Sequence, residues 1–141
     1  MSEDVQDDRP PTRALTEDEC WQLIREAPYG RIAATAAGEI DIFPVNHGVH
    51  AGTVVFRTSP GTKLLELTIH HSIVFEVDGF DRNEAFSVVV KGDAVEIERS
   101  WAVEELDSLG LRSWAPEDKD RWVQITPRLI SGRTFTLAPK M

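Results

Sequence analysis

Apolar residues recur along the chain with two periods, and the change of period divides it into elements. Cys20, Leu23, Ile24 and Ala27 fall at i, i+3, i+4 and i+7, one face of an α-helix. The preceding "TEDE" is a capping box, with Thr16 at the N-cap and Glu19 reaching back, and with Leu15 and Cys20 at the staple positions. Pro28 stops the helix. The period then shortens to two. "GRIAATA" (Gly30–Ala36) reads as a strand, closed by a turn at Gly38. Residues 39–50, "EIDIFPVNHGVH", open with Ile40 and Ile42 on one face and change phase to Phe43 and Val45. A bulge or bend is expected before Pro44, which cannot donate to a ladder and belongs at an edge. Ala51 and Gly52 turn the chain into "TVVFRT" (Thr53–Thr58), so residues 39–58 read as a hairpin.

Residues 61–68 read as a short helix, 72–78 as a strand and 79–85 as a loop. In residues 86–98, Phe86, Val88 and Val90 alternate on one phase and Val95 and Ile97 on the other. Gly92 lies at the break, where a glycine bulge or barrel corner belongs. Ser100 can cap a helix over residues 101–109, with Gly110 past its end. Residues 122–126 read as a strand, with a further short one within 129–137. The pattern predicts a mainly β fold, a small antiparallel barrel of six or seven strands with two or three short helices.

Composition adds limits. Residues 1–14 are acidic, hold Pro10 and Pro11, and have little to bury, so they are expected to be a disordered tail before a single domain over 15–141. The chain carries 15 basic and 24 acidic residues, a net charge of -9, which argues against a nucleic-acid partner. No apolar run approaches the ~18 residues of a membrane helix, and the N-terminus lacks the apolar core of a secretory signal. The one cysteine excludes an internal disulfide and fits a reducing, cytoplasmic setting. On its helix face, Cys20 reads as core rather than nucleophile.

Against that acidic background, "FRTSPGTK" (residues 56–63) stands out. Arg57 offers a planar fork of donors that matches phosphate oxygens. Thr58 and Ser59 add hydroxyls, Lys63 adds a point charge, and Gly61 permits close backbone approach. The N–H groups of Gly61 and Thr62 lie where a helix is expected to begin. The spaced glycines and Gly-Lys-Ser/Thr ending of a nucleotide-hydrolase phosphate loop are missing. These residue types support either a phosphate site or a solvated pair of surface cations.

A set of motifs in order decides between them. "GRIA" (residues 30–33), "FPVNHG" (43–48), "VVFRTSPGTKL" (54–64), "VFEVD" (74–78), "FSVVVKGDAVEI" (86–97) and "ISGR" (130–133) span nearly everything beyond the tail. In this order they resemble the flavin-binding split-barrel family, the pyridoxamine 5'-phosphate oxidase-like proteins, and in particular its short single-domain bacterial members. The resemblance implies a split β-barrel and a homodimer with FMN at the subunit interface. It implies that Arg57, Thr58 and Lys63 bind the FMN phosphate, with Ser59 and Leu64 nearby. Pro44, Val45 and Asn46 would line the isoalloxazine ring, and Phe86 and Ser87 would approach from the partner subunit. Arg133 would lie near cofactor or substrate. Relatives often carry an aromatic residue where this chain has His47, and Trp-Ser-Val where it has Phe86-Ser87-Val88. These departures bear on the ring and substrate pocket rather than on the phosphate trio.

The implied activity is an FMN-dependent oxidoreductase with a small-molecule substrate and no assigned catalytic side chain. The alternatives are a reductase using the deazaflavin F420 on the same fold, or a non-catalytic flavin carrier or sensor. Pyridoxamine phosphate oxidation itself is disfavoured, because such enzymes are longer and carry a C-terminal substrate-phosphate motif missing here. His47 and His50, or His70 and His71, would face opposite sides of a strand and are poor chelating pairs, so no metal is expected. His47 reads equally as a ring-side residue or a loop-end residue bonded to backbone. Trp21, Trp101, Trp114 and Trp122 read as core or interface residues. No G-x-S-x-G elbow supports a hydrolase.

Overall fold

The computed structural model describes residues 12–69, 71–98, 100–110 and 121–137. The chain runs β1 (Thr12–Ala14), α1 (Glu17–Glu26), β2 (Gly30–Ala36), β3 (Glu39–Val45), β4 (His47–His50), β5 (Thr53–Thr58), α2 (Lys63–Thr68), β6 (His71–Phe80), β7 (Glu84–Ile97), α3 (Ser100–Asp107) and β8 (Arg121–Thr136). All pairings are antiparallel. The strand order is β3-β2-β6-β7-β8-β5-β4, with β1 added on β8. Its two end strands, β3 and β4, follow each other in sequence with Asn46 alone between them. One residue therefore links the two ends of the sheet, which is the curled, split barrel that the motifs implied.

Several boundaries differ from the sequence reading. The described residues form eight strands, against the six or seven expected. Thr12–Ala14, which composition placed in the tail, is a strand held by pairing Ala14 with Arg133; the rest of that tail lies outside the described residues. Residues 39–58 are not one hairpin. β3 pairs with β2, and β4 pairs with β5. The bulge expected before Pro44 is absent: β3 pairs with β2 without a break from Glu39 to Val45, with Ile40 and Ile42 exposed on one face and Phe43 and Val45 on the other, and the passage to the other end of the sheet comes at Asn46. Pro44 is tolerated because β3 is bonded on one side only, to β2. The two strands expected over 122–126 and 129–137 are one continuous strand, since the ladder to β7 bridges Pro127 at an irregularity. α2 begins at Lys63, not Gly61.

The helix reading holds in detail. Thr16 Oγ1 accepts from Glu19 N at 3.1 Å, and Glu19 Oε1 accepts from Thr16 N at 2.9 Å. Cys20 and Ile24 face inward and are buried. They join Ile32, Phe56, Phe75, Val77, Val88, Val90 and Ile125 in the main core. Leu15 N donates to Gly132 O at 2.9 Å, which lays the start of α1 on β8. A Cβ at Gly132 would lie 2.8 Å from Cys20 Sγ and 2.9 Å from Leu15 Cδ1, so glycine permits that approach. A smaller cluster of Val55, Leu106 and Trp122 lies under α3, with Trp122 Nε1 donating to Asp107 Oδ1 at 2.8 Å. Trp122 is thus core, and Trp21 packs partly buried against the main cluster. Trp114 and His70 lie outside the described residues. No described helix is long and apolar enough to cross a membrane.

Candidate functional site

The phosphate candidates follow directly from the end of β5. Alternation along the strand puts Val54 and Phe56 in the barrel core and Val55 and Arg57 on the outer side. Arg57 pairs in register with Trp122, and its guanidinium lies 5.4 Å from that ring centroid. It is half-buried and stacked, not the freely solvated cation that a strand-end position suggests. Thr58 and Ser59 are buried. Thr58 Oγ1 and Thr62 Oγ1 share a hydrogen bond of 2.9 Å, Thr62 Oγ1 donates to Ser59 O at 3.1 Å, and Leu65 N donates to Thr62 Oγ1 at 3.1 Å. Hydroxyls thus knit the turn together and cap α2. Gly61, at φ 73°, lies before the cap, so its N–H is not part of a helix start. Lys63 is the first residue of α2, and its Nζ lies 3.3 Å from Asp41 Oδ1 on β3. Leu64 packs against the main core. The turn gathers a guanidinium, hydroxyls and an ammonium within seven residues, a donor set that fits a phosphate.

The ring candidates lie at the seam of the sheet. Val45 is buried in the core, Pro44 is exposed, and Asn46 links β3 to β4. His47 pairs with Phe56, so Asn46 and Arg57 each lie one residue beyond that pair. The salt link from Lys63 to Asp41 draws the start of α2 to β3. The phosphate and ring candidates therefore share one corner of the barrel.

Phe86, Ser87 and Arg133 do not join them within the chain. Arg31 pairs with both Pro44 and Glu76, and Glu76 pairs with Val89. That row places β7 three strand spacings from β3, roughly 14 Å. Ser87 pairs with Asp78 on one side and Arg133 on the other, so these three share the outer face. The Arg133 guanidinium lies 5.4 Å from the Phe135 ring centroid. Phe86 points the other way, against the core, and with Leu15 and Leu23 lines an open cavity of about 480 Å³.

His47 is placed by α1. Its Nε2 donates to Ile24 O at 2.8 Å, and its ring meets Phe75 edge-on at 4.9 Å between centroids. Its Nδ1 is buried with no hydrogen-bond partner among the described residues. Burial pushes the imidazole pKa below its ordinary value, against the opposing effect of the Ile24 bond. His47 is thus a neutral residue bonded to backbone, tying α1 to the seam beside Asn46. His50 instead meets Glu105, with Nε2 to Oε1 at 3.1 Å.

The sequence reading missed the outer-face network. Arg31 Nη1 donates to Asp78 Oδ2 at 2.9 Å and to Glu76 Oε1 at 3.3 Å, with the guanidinium 5.4 Å from the Tyr29 ring. "GRIA" and "FEVD" contained these residues, but only the pairing of β2 with β6 brings them together. Burial, followed by the neighbouring Asp78, pushes the Glu76 carboxyl up to about 7, with Arg31 opposing. Its ordinary value is 4.5. Below 4.5 both folded and unfolded states hold the proton. Between 4.5 and 7 the unfolded chain releases it first, so this group's stability contribution is lost as pH rises through that window. Glu76→Gln is expected to gain about 1–2 kcal/mol relative to the native protein between pH 4.5 and 8, given partial solvent screening. Urea midpoints of both proteins at the two pH values check this. A constant difference would remove Glu76 as the cause.

Comparison with known proteins identifies the family and the fold. The family model described as pyridoxamine 5'-phosphate oxidase matches residues 16–134. A Corynebacterium glutamicum structure, provisionally assigned as a pyridoxamine 5'-phosphate oxidase, is 34% identical, with a TM-score of 0.85 over 94% of this chain and 98% of its own. The structure of an FAD-binding protein from Mycobacterium smegmatis is also 34% identical, with a TM-score of 0.78 over 88% of this chain and 98% of its own. The Mycobacterium tuberculosis protein Rv0080 is 32% identical over 126 residues, covering 84% of this chain and 82% of its own. With the motifs in register on a split barrel and the family model covering all but the two ends, the chain belongs to the pyridoxamine 5'-phosphate oxidase family.

Proposed function

We propose that this protein is a flavin-dependent oxidoreductase that holds FMN by its phosphate at the β5–α2 turn. The observation that carries the reading is the gathering of Arg57, Thr58 and Lys63 beside the Pro44–Asn46 seam. Arg57 and Lys63 supply the charge, and the buried hydroxyls of Thr58 and Ser59 lie in the same turn. When bound, the flavin supplies the electron transfer, while the protein binds and orients it and shapes its surroundings. Asn46 provides amide donors and acceptors at the ring's polar edge, and no general acid or base is assigned.

The functional unit is a homodimer, in which the β7–β8 segment around Phe86, Ser87 and Arg133 of one chain completes the site of the other, with Ser87 and Arg133 on its outer face. This is supported by the distance of those residues from the seam and by exposed apolar side chains beside the charged outer-face network. Ile40 and Ile42 are 70% and 66% exposed there, and Leu129 54%. Exposed aliphatic side chains of this kind suit burial against a second copy. The composition fits a cytoplasmic protein.

A second reading has FAD in the same place, favoured by the FAD-binding M. smegmatis structure at 34% identity. F420 is disfavoured by the acidic surface, which offers no run of Lys and Arg for a polyglutamate tail. The test is titration with FMN, FAD and F420, each followed by visible absorbance and fluorescence. Saturable FMN binding with turnover of a reduced nicotinamide donor is the expected result. Binding without turnover makes the protein a carrier or sensor, and binding of none of the three removes the cofactor reading.

A further inference from the structure

We infer that Asp41 controls anion affinity at the phosphate subsite, acting as an internal counter-ion that an incoming phosphate must displace from Lys63. The inference rests on the flavin reading for the owner of the phosphate. The observation behind it is local: Asp41 Oδ1 lies 3.3 Å from Lys63 Nζ. The two partners are unequal. Asp41 is 30% exposed at its side chain and sits mid-strand on β3, whose backbone is held by pairing from Glu39 to Val45. Lys63 is 62% exposed and begins a helix of six residues. The carboxylate is fixed, and the ammonium is the part that can move.

A carboxylate and a phosphate compete for the same donor. A phosphate at Lys63 must replace the Asp41 carboxylate as its partner and also sit close to it, and like charges a few ångströms apart repel. Asp41 therefore lowers affinity for any ligand that presents a phosphate here. It leaves a flavin without phosphate untouched, because such a ligand brings no anion to compete for Lys63. The residue sets how far the protein depends on the phosphate for selecting its cofactor. A role of the opposite sign, with Asp41 orienting Lys63 towards the ligand, makes the opposite prediction.

The experiment is titration of the native protein, Asp41→Asn, Lys63→Ala and the double variant with FMN and with riboflavin. Asp41→Asn is isosteric at a strand surface, and a circular dichroism spectrum confirms its fold. Asp41→Asn is expected to tighten FMN about three- to tenfold, the scale of a partly exposed ion pair. Riboflavin affinity stays unchanged, and most of the FMN gain disappears in the Lys63→Ala background. Unchanged or weaker FMN binding by Asp41→Asn overturns the inference, as does an equal change for riboflavin. If the native protein binds neither flavin, the cofactor reading falls, and inorganic pyrophosphate then decides on Asp41. Amide NMR shifts of residues 58–64 that saturate at lower pyrophosphate in Asp41→Asn support anion control by this residue. Identical titrations remove it.

Discussion

Gly92→Ala is expected to destabilise the protein by about 2–4 kcal/mol, in the range of overpacking and backbone displacement at a buried site. A Cβ on Gly92 would lie 2.3 Å from Thr126 O, 3.0 Å from Thr126 C and 3.1 Å from Pro127 Cα. All three are backbone atoms of the neighbouring strand, so no side-chain rotation relieves the contact. The position is where the β7–β8 register shifts: Lys91 faces Leu129 while Gly92 faces Pro127, leaving Arg128 as the extra residue. Pushing β8 away here disturbs more than one ladder. Its other edge carries β5 along its first part and β1 near its end. Urea denaturation measures the effect. A loss within about 0.5 kcal/mol, the scale of an ordinary surface substitution, would mean that the bulge absorbs a methyl group and is not a packing constraint.

Arg57→Ala combined with Lys63→Ala is expected to weaken FMN binding by about a hundredfold or more. Two charge-assisted hydrogen bonds are lost at about 1.5–3 kcal/mol each. Riboflavin, which lacks the phosphate, should bind within about threefold of the native protein. The comparison separates phosphate recognition from general damage to the ring site. Stability will also fall, by about 1 kcal/mol, because the Arg57 guanidinium and stem lie against the buried Trp122. A strand-end arginine read from sequence is a surface charge with almost no such cost. Isothermal titration with both ligands, beside a denaturation curve, reads the two effects together. Equal losses for FMN and riboflavin would place the phosphate elsewhere.

Local rules carried the elements that depend on neighbours in sequence. The capping box at Thr16 and Glu19, the inward Cys20–Ile24 face and the stop at Pro28 are set within one or two helical turns, and all stand in the structure. Gly92 does sit at an irregularity, but the sequence reading put the bulge on the wrong strand: β7 alternates unbroken, with Val88, Val90, Gly92 and Ala94 buried, and the extra residue is Arg128 on β8. The cluster of cations and hydroxyls at residues 57–63 was legible for the same reason: one short turn holds it all.

Pairing across the sheet was not legible, because the period of a strand tells which residues share a face but not which strand lies beside it. Residues 39–58 read as one hairpin, and only the fold shows β3 and β4 at opposite ends of the strand order. A three-residue strand such as Thr12–Ala14 has no periodicity to detect and exists through its ladder to β8. Lys63 meets Asp41 across 22 positions, Arg31 meets Asp78 across 47, and His47 meets Ile24 across 23. The sequence by itself determined the helix caps, the alternating core face and the donor chemistry of the turn, since each needs only near neighbours. The tertiary structure alone decided which charge opposes Lys63, which carboxyl has its pKa raised and which histidine is buried, since these depend on burial and on contacts that the closing of the sheet creates.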